Sequence, residues 1–103
     1  MNLIFKFNIE ELEYDFIEVY KDDEDFNEEE KINEMWIEVE SLFDEVDDFL
    51  IKYLGKSRVD ELIMYGASDE KVVEGLSKEE CELLLKNKKE IIYGYIIDIE
   101  CNK

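Results

Sequence analysis

Eleven apolar side chains, Ile32, Met35, Trp36, Val39, Leu42, Phe43, Val46, Phe49, Leu50, Tyr53 and Leu54, recur at three- and four-residue steps without a break. That spacing places them on one face of an α-helix and on no single face of a strand. Asn27 and Glu30 supply a capping box ahead of the run, and Gly55 supplies the stop. The pattern predicts one helix over about 28–54, roughly 40 Å long at ~1.5 Å per residue. The chain has 103 residues, which is room for one domain, 1–103, with a real core and too little for two. A helix of that length exceeds what a compact domain of this size needs. One end is therefore expected to project or to serve a partner.

The remaining elements are read around this rod. Residues 2–8 form a short β-prone run in which Leu3, Phe5 and Phe7 alternate with Ile4 and Lys6, apolar enough on both faces to predict cover on both sides. Residues 9–20 fit a helix through Ile9, Leu12, Phe16, Val19 and Tyr20 behind Asn8 and Glu11. They also fit a strand through Leu12, Tyr14 and Phe16, and the helix is the favoured reading. Short helices are predicted from Ser57 to Gly66, from Ser68 to Gly75, and from Ser77 to the lysines 86, 88 and 89. The alternation of Ile91, Tyr93, Tyr95, Ile97, Ile99 and Cys101 predicts a strand over 90–101, paired with residues 2–8. The fold class that results is α+β, mostly helical, with a small sheet joining the two ends of the chain.

Charge is distributed very unevenly over this frame. The first fifty residues carry nineteen acids against three bases, and the whole chain has a net charge of −18. Six Phe, six Tyr and one Trp separate the chain from disordered acidic tails, which lack the apolar content to fold. A field of this sign bears on partners, solubility and association rate. From Glu28 to Asp48, ten carboxylates occupy about 30 Å of helix, one per ~3 Å, close to the ~3.4 Å spacing of phosphates along one DNA strand. Opposite the apolar stripe, Glu30, Glu34, Glu38, Glu40, Asp44, Glu45, Asp47 and Asp48 form an acidic face, extended by Asp22, Asp23 and Asp25 in the preceding connector. Ile37 and Ile51 interrupt that face. Either another element, such as residues 9–20, packs over them, or they are apolar anchors within a charged surround.

Other chemistry finds little support. Asp23, Asp25, Asn27 and Glu34 occupy calcium-ligand positions of an EF-hand loop, but Glu28 stands where the loop needs Gly and Glu30 where it carries an apolar residue, so no metal is assigned. The chain contains no His, Pro, Thr or Gln, which removes the usual neutral-pH general base and the commonest zinc ligand. Ser57, Ser68 and Ser77 read as helix caps, and no glycine-rich loop cradles a phosphate. No catalytic residue and no cofactor is expected, and the chain reads as a non-enzyme. Cys81 and Cys101 read as reduced structural thiols. No apolar run is long enough to span a membrane, and MNLIFKFNIEELE lacks the pattern of a signal peptide, so a cytoplasmic protein is expected.

In charge and size the chain resembles phage-encoded nucleic-acid mimics, among them anti-CRISPR proteins and inhibitors of DNA-processing enzymes. The resemblance carries no residue over. It implies an inhibitor that occupies the basic, nucleic-acid-binding surface of another protein by steric and electrostatic exclusion, without binding nucleic acid itself. An immunity protein that neutralises a nuclease toxin has the same physics. A homodimer joined through the apolar stripe of residues 32–54 is the structural alternative.

Overall fold

Alternating apolar residues from the two ends of the chain meet in one antiparallel sheet. The computed structural model describes residues 1–67 and 69–102. The strands are β1 (Asn2–Phe7), β2 (Ile63–Ala67), β3 (Glu70–Glu74) and β4 (Ile96–Asn102), in the spatial order β2-β3-β1-β4. Between β1 and β2 run α1 (Ile9–Glu13), a π-helical turn (Tyr14–Glu18), α2 (Glu28–Leu54) and α3 (Lys56–Val59), and α4 (Lys78–Lys86) joins β3 to β4. This α+β arrangement has the β-α-β-β-α-β connectivity of a split βαβ unit. Leu3 stands opposite Val73 on one side and Cys101 on the other, and Phe5 lies opposite Lys71 and Ile99. The two ends of the chain pair, as the alternation predicts.

The long helix holds the limits that its pattern predicts. Asn27 accepts from the Glu30 backbone N–H, and Gly55 ends the helix at φ 83°, a conformation costly for any residue with a Cβ. Residues 9–18 are helical, so the favoured reading holds there, with Asn8 accepting from the Glu11 N–H.

Elsewhere the predictions need correction. Ile63 and its neighbours form β2, and Val72 and Val73 sit in β3, where short helices ending at Gly66 and Gly75 were expected. Pairing decides: β3 bonds to both β1 and β2, and β-branched side chains suit a pleated surface better than a short helix. Within β2, position 66 suits a glycine because a Cβ there would lie 3.0 Å from the Phe43 ring and from the Glu70 carbonyl oxygen. Ser57 lies inside α3, which Gly55 precedes without any side-chain cap bond. Ser68, expected to cap the second helix, is outside the described residues. The last strand begins at Ile96 rather than residue 90, because residues 88–90 form a 3-10 turn and Gly94 reverses the chain at φ 58°. On β1, Leu3, Phe5 and Phe7 are buried, whereas Ile4 and Lys6 are only half-buried, so the sheet is covered on one face rather than two.

Two apolar cores result. The larger joins Leu42, Val46, Phe49 and Leu50 of α2 to Leu3, Phe5, Val73 and Ile99 of the sheet and to Cys81 and Leu84 of α4. The smaller joins Met35 and Val39 of α2 to Leu12, with Ile9, Phe16 and Ile17 packed against it. The molecule measures 53 × 21 × 21 Å. These cores take up most of the stripe of residues 32–54, while Trp36 stays partly exposed.

Two charged side chains pin the layers together. Lys71, only 7% exposed, projects from β3 beneath α2. Its Nζ donates to Asp47 Oδ1 at 2.6 Å and to the Phe43 carbonyl at 3.2 Å. Arg58 grips Glu80 through two bonds, at 2.7 and 2.8 Å, and also donates to the Gly75 carbonyl. Glu80 is at once the reciprocal partner in the Ser77 capping box. These bonds, Arg58 foremost, hold the Glu80 carboxyl down at about 2 from its ordinary 4.5. Both cysteines are free, and burial above all pushes the Cys81 thiol up to about 11.

Removing Asp47 leaves a buried ammonium without its counter-charge, whereas removing Lys71 leaves a carboxylate that water can reach. Asp47→Ala should therefore cost about 3 kcal/mol and Lys71→Met less than about 1 kcal/mol, read from urea unfolding midpoints. Because the Glu80 pKa is lowered by folding, its contribution is present above the unfolded value and is lost as pH falls from 4.5 toward 2. Glu80→Gln keeps the helix cap and should flatten that acid limb in the same unfolding assay.

Candidate functional site

Burial of the apolar stripe fixes the rotation of α2, and the acidic face divides accordingly. Glu30, Glu40, Asp44 and Asp48 are exposed on the outer crest. Ile37 stands among them 66% exposed, and Ile51 is 37% exposed on the same side. Residues 9–20 pack instead against Met35 and Val39, so neither isoleucine is covered by them. Asp22, Asp23 and Asp25 are exposed in the turn ahead of the helix, where Asp23 accepts from the Phe26 N–H.

The remaining predicted residues are not free in the same way. Asp47 is engaged by Lys71 and is part of the fold. Glu34 accepts from Lys31 at 3.2 Å, and that ammonium also lies 4.2 Å from the centre of the Tyr20 ring. The pair is exposed enough for its contribution to be small. Glu38 and Glu45 turn toward the segment before β4 and are half-buried. Tyr95 donates to Asp15 at 2.7 Å, and that bond, then burial and the charges of Asp15, Glu38 and Glu11, push its hydroxyl up to about 12. Tyr93 faces Glu45, whose charge raises the Tyr93 pKa above its ordinary value.

Sequence periodicity did not reveal these tyrosine contacts, because they form between residues about fifty apart or more in the chain. Nor did it place Trp36 correctly. Trp36 is 45% exposed and borders a hollow shared with Val39, Glu40, Phe43, Gly66 and Ala67, beside the outermost strand. The Asp47 pair gave no signal either, because Lys71 lies in a stretch that reads as a short helix, and only as part of β3 is it buried beneath α2, where it requires a carboxylate.

No group of three acidic or cysteine side chains among the described residues is arranged to hold a metal ion, and the EF-hand positions are split between a turn and the start of α2. No helix among the described residues is long and apolar enough to cross a membrane. Compared with protein-family models, with curated proteins and with solved structures, the chain matches none. The functional reading therefore rests on the surface itself.

What it offers is a rigid acidic crest with an apolar side chain in it. An isoleucine so exposed contributes little to folding. Ile37→Ser should shift the thermal midpoint by less than about 3 °C, as followed by circular dichroism.

Proposed function

We propose that the protein is an inhibitor that binds a basic, nucleic-acid-binding surface of another protein through the outer face of α2 and the acidic turn before it. The observation that carries this reading is the open crest: Glu30, Glu40, Asp44 and Asp48 face solvent around an exposed Ile37, with no cation among the described residues paired to any of the four. Such a crest is costly to keep, since like charges at neighbouring helix positions repel by a few tenths of a kcal/mol per pair. It is useful when it meets a groove lined with Lys and Arg. There the summed field speeds encounter, and the basic groove cannot hold nucleic acid while the helix lies in it.

Mimicry in this sense concerns field and shape rather than a copy of phosphate spacing. Engagement of Asp47 and the turning of Glu38 and Glu45 thin the regular series of carboxylates. The surface remains rod-like, and Ile37 supplies what a phosphate backbone lacks. Its burial on contact would add an apolar anchor that salt does not screen.

The test is capture on immobilised protein, with elution by either salt or duplex DNA. A captured partner should leave with both, and charge reversal at Glu30, Glu40, Asp44 and Asp48 should abolish retention while the thermal midpoint is kept. Retention indifferent to salt, to DNA and to those four changes removes this reading.

A further inference from the structure

We propose that Cys81 and Cys101 form a thiol–disulfide modification site, at which a small disulfide such as glutathione disulfide oxidises the pair and ties α4 to the last strand. The site lies on α4 and β4 and is independent of the acidic face of α2.

The strand register brings the two residues together. Along β4, Ile99 and Cys101 alternate with Glu100, so their side chains leave the strand on one face. Across the ladder Cys101 stands opposite Leu3, and Ile99 opposite Phe5. Leu3, Phe5 and Ile99 share the larger core with Cys81, which makes that face the one on which α4 packs. Cys101 continues the same row to the rim of the core, where it is exposed, whereas Cys81 is 2% exposed. The two thiols are free and lie within hydrogen-bonding reach of each other.

Burial gives the thiols different roles. Burial first, then the charge and hydrogen bond of Cys101 and the charge of Glu80, push Cys81 up to about 11, while the Met1 ammonium opposes this. Reagents in solution do not reach it, and little of it is thiolate at neutral pH. Cys101 is open to them. Its thiolate attacks one sulfur of glutathione disulfide, a mixed disulfide forms at Cys101, and one glutathione thiolate leaves. Cys81, losing its proton to water, then attacks the Cys101 sulfur. The Cys81–Cys101 bond forms and the second glutathione leaves as its thiolate. The protons given up by the two protein thiols are taken up by the two glutathiones, so one dithiol and one glutathione disulfide become one protein disulfide and two glutathiones. The small thiolate fraction of Cys81 is offset because the second step is intramolecular, between groups that the fold already holds side by side.

β4 ends the sheet and is hydrogen-bonded to β1 alone. A bond from Cys101 to α4 gives its outer end a second attachment, and it also restricts the unfolded chain between the two cysteines.

The test incubates the full chain with glutathione disulfide and follows its intact mass, with digestion after lysine under non-reducing conditions. The expected product has lost two hydrogens and joins residues 79–86 to residues 90–103. Its thermal midpoint should lie roughly 10 °C above that of the reduced protein and return when dithiothreitol is added. Cys81→Ser should stop at a glutathione adduct on Cys101, and Cys101→Ser should be left unmodified. Where Cys81→Ser does not fold, the joined peptides of the unaltered chain decide. A wild-type protein that stops at the Cys101 adduct, that links two copies through Cys101, or that remains a dithiol overturns the site. So does an internal bond that lowers the thermal midpoint, because strain of that kind means the fold does not hold the two sulfurs ready to pair.

Discussion

A strand of five to seven residues, at ~3.3 Å each, covers roughly 20 Å, whereas the 27 residues of α2 run to about 40 Å. No sheet that this chain can build will cover that helix from end to end. The disproportion organises the molecule. The C-terminal half of α2 lies on the sheet within the larger core, and the N-terminal half is held by α1 and the π-helical turn through a small satellite. The elongated outline follows, and so does the exposure of one helical face along its whole length. The satellite core, with three buried side chains, is also the part with the least burial to resist local opening.

How far this was legible depends on what each feature rests upon. The limits of α2 could be read because they depend on local chemistry: an uninterrupted 3.6-residue period, a side-chain cap at Asn27 and a glycine stop at Gly55. The pairing of the chain ends was legible because both show strand alternation. The region from Gly55 to Gly75 was not, since its glycines and serines are equally natural at helix ends and at strand turns. Val72 and Val73 become a strand only because β1 stands beside them, and no local pattern reports a neighbour seventy residues away. For the acidic face the limit was similar. Periodicity identifies which residues avoid the core but not which of them other elements claim. Lys71 claims Asp47 and the tyrosines border Glu38 and Glu45, leaving a narrower crest than the wheel alone implies.

The cations that remain are spent unevenly. Lys71, the most enclosed of the paired cations, and Arg58, which makes the most bonds, bind layers of the fold. Lys6, Lys21 and Lys52 sit in exposed pairs of small energetic weight, and Lys56, Lys78, Lys86, Lys88 and Lys89 form no ion pair among the described residues. The protein thus uses scarce positive charge where desolvation makes it effective and leaves the outer face of α2 almost unneutralised. Fold and binding surface draw on the same carboxylate series, and the strand register beneath α2 decides which residue serves which purpose.

One consequence concerns colloidal behaviour. β2 lies at the margin of the sheet, carries no charged side chain, and exposes Ile63 and Tyr65. Open margins of this kind invite a second chain to add its own strand. At neutral pH the repulsion between two molecules, each bearing a charge of −18, opposes that approach. Near the isoelectric point of about 4.1 the repulsion vanishes, while self-repulsion within each molecule is relieved as well. Mild acid therefore relieves self-repulsion while beginning to remove the Glu80 contribution, and it makes the solution less tolerant of concentration. The charge that suits α2 to a basic partner also keeps copies of the protein apart.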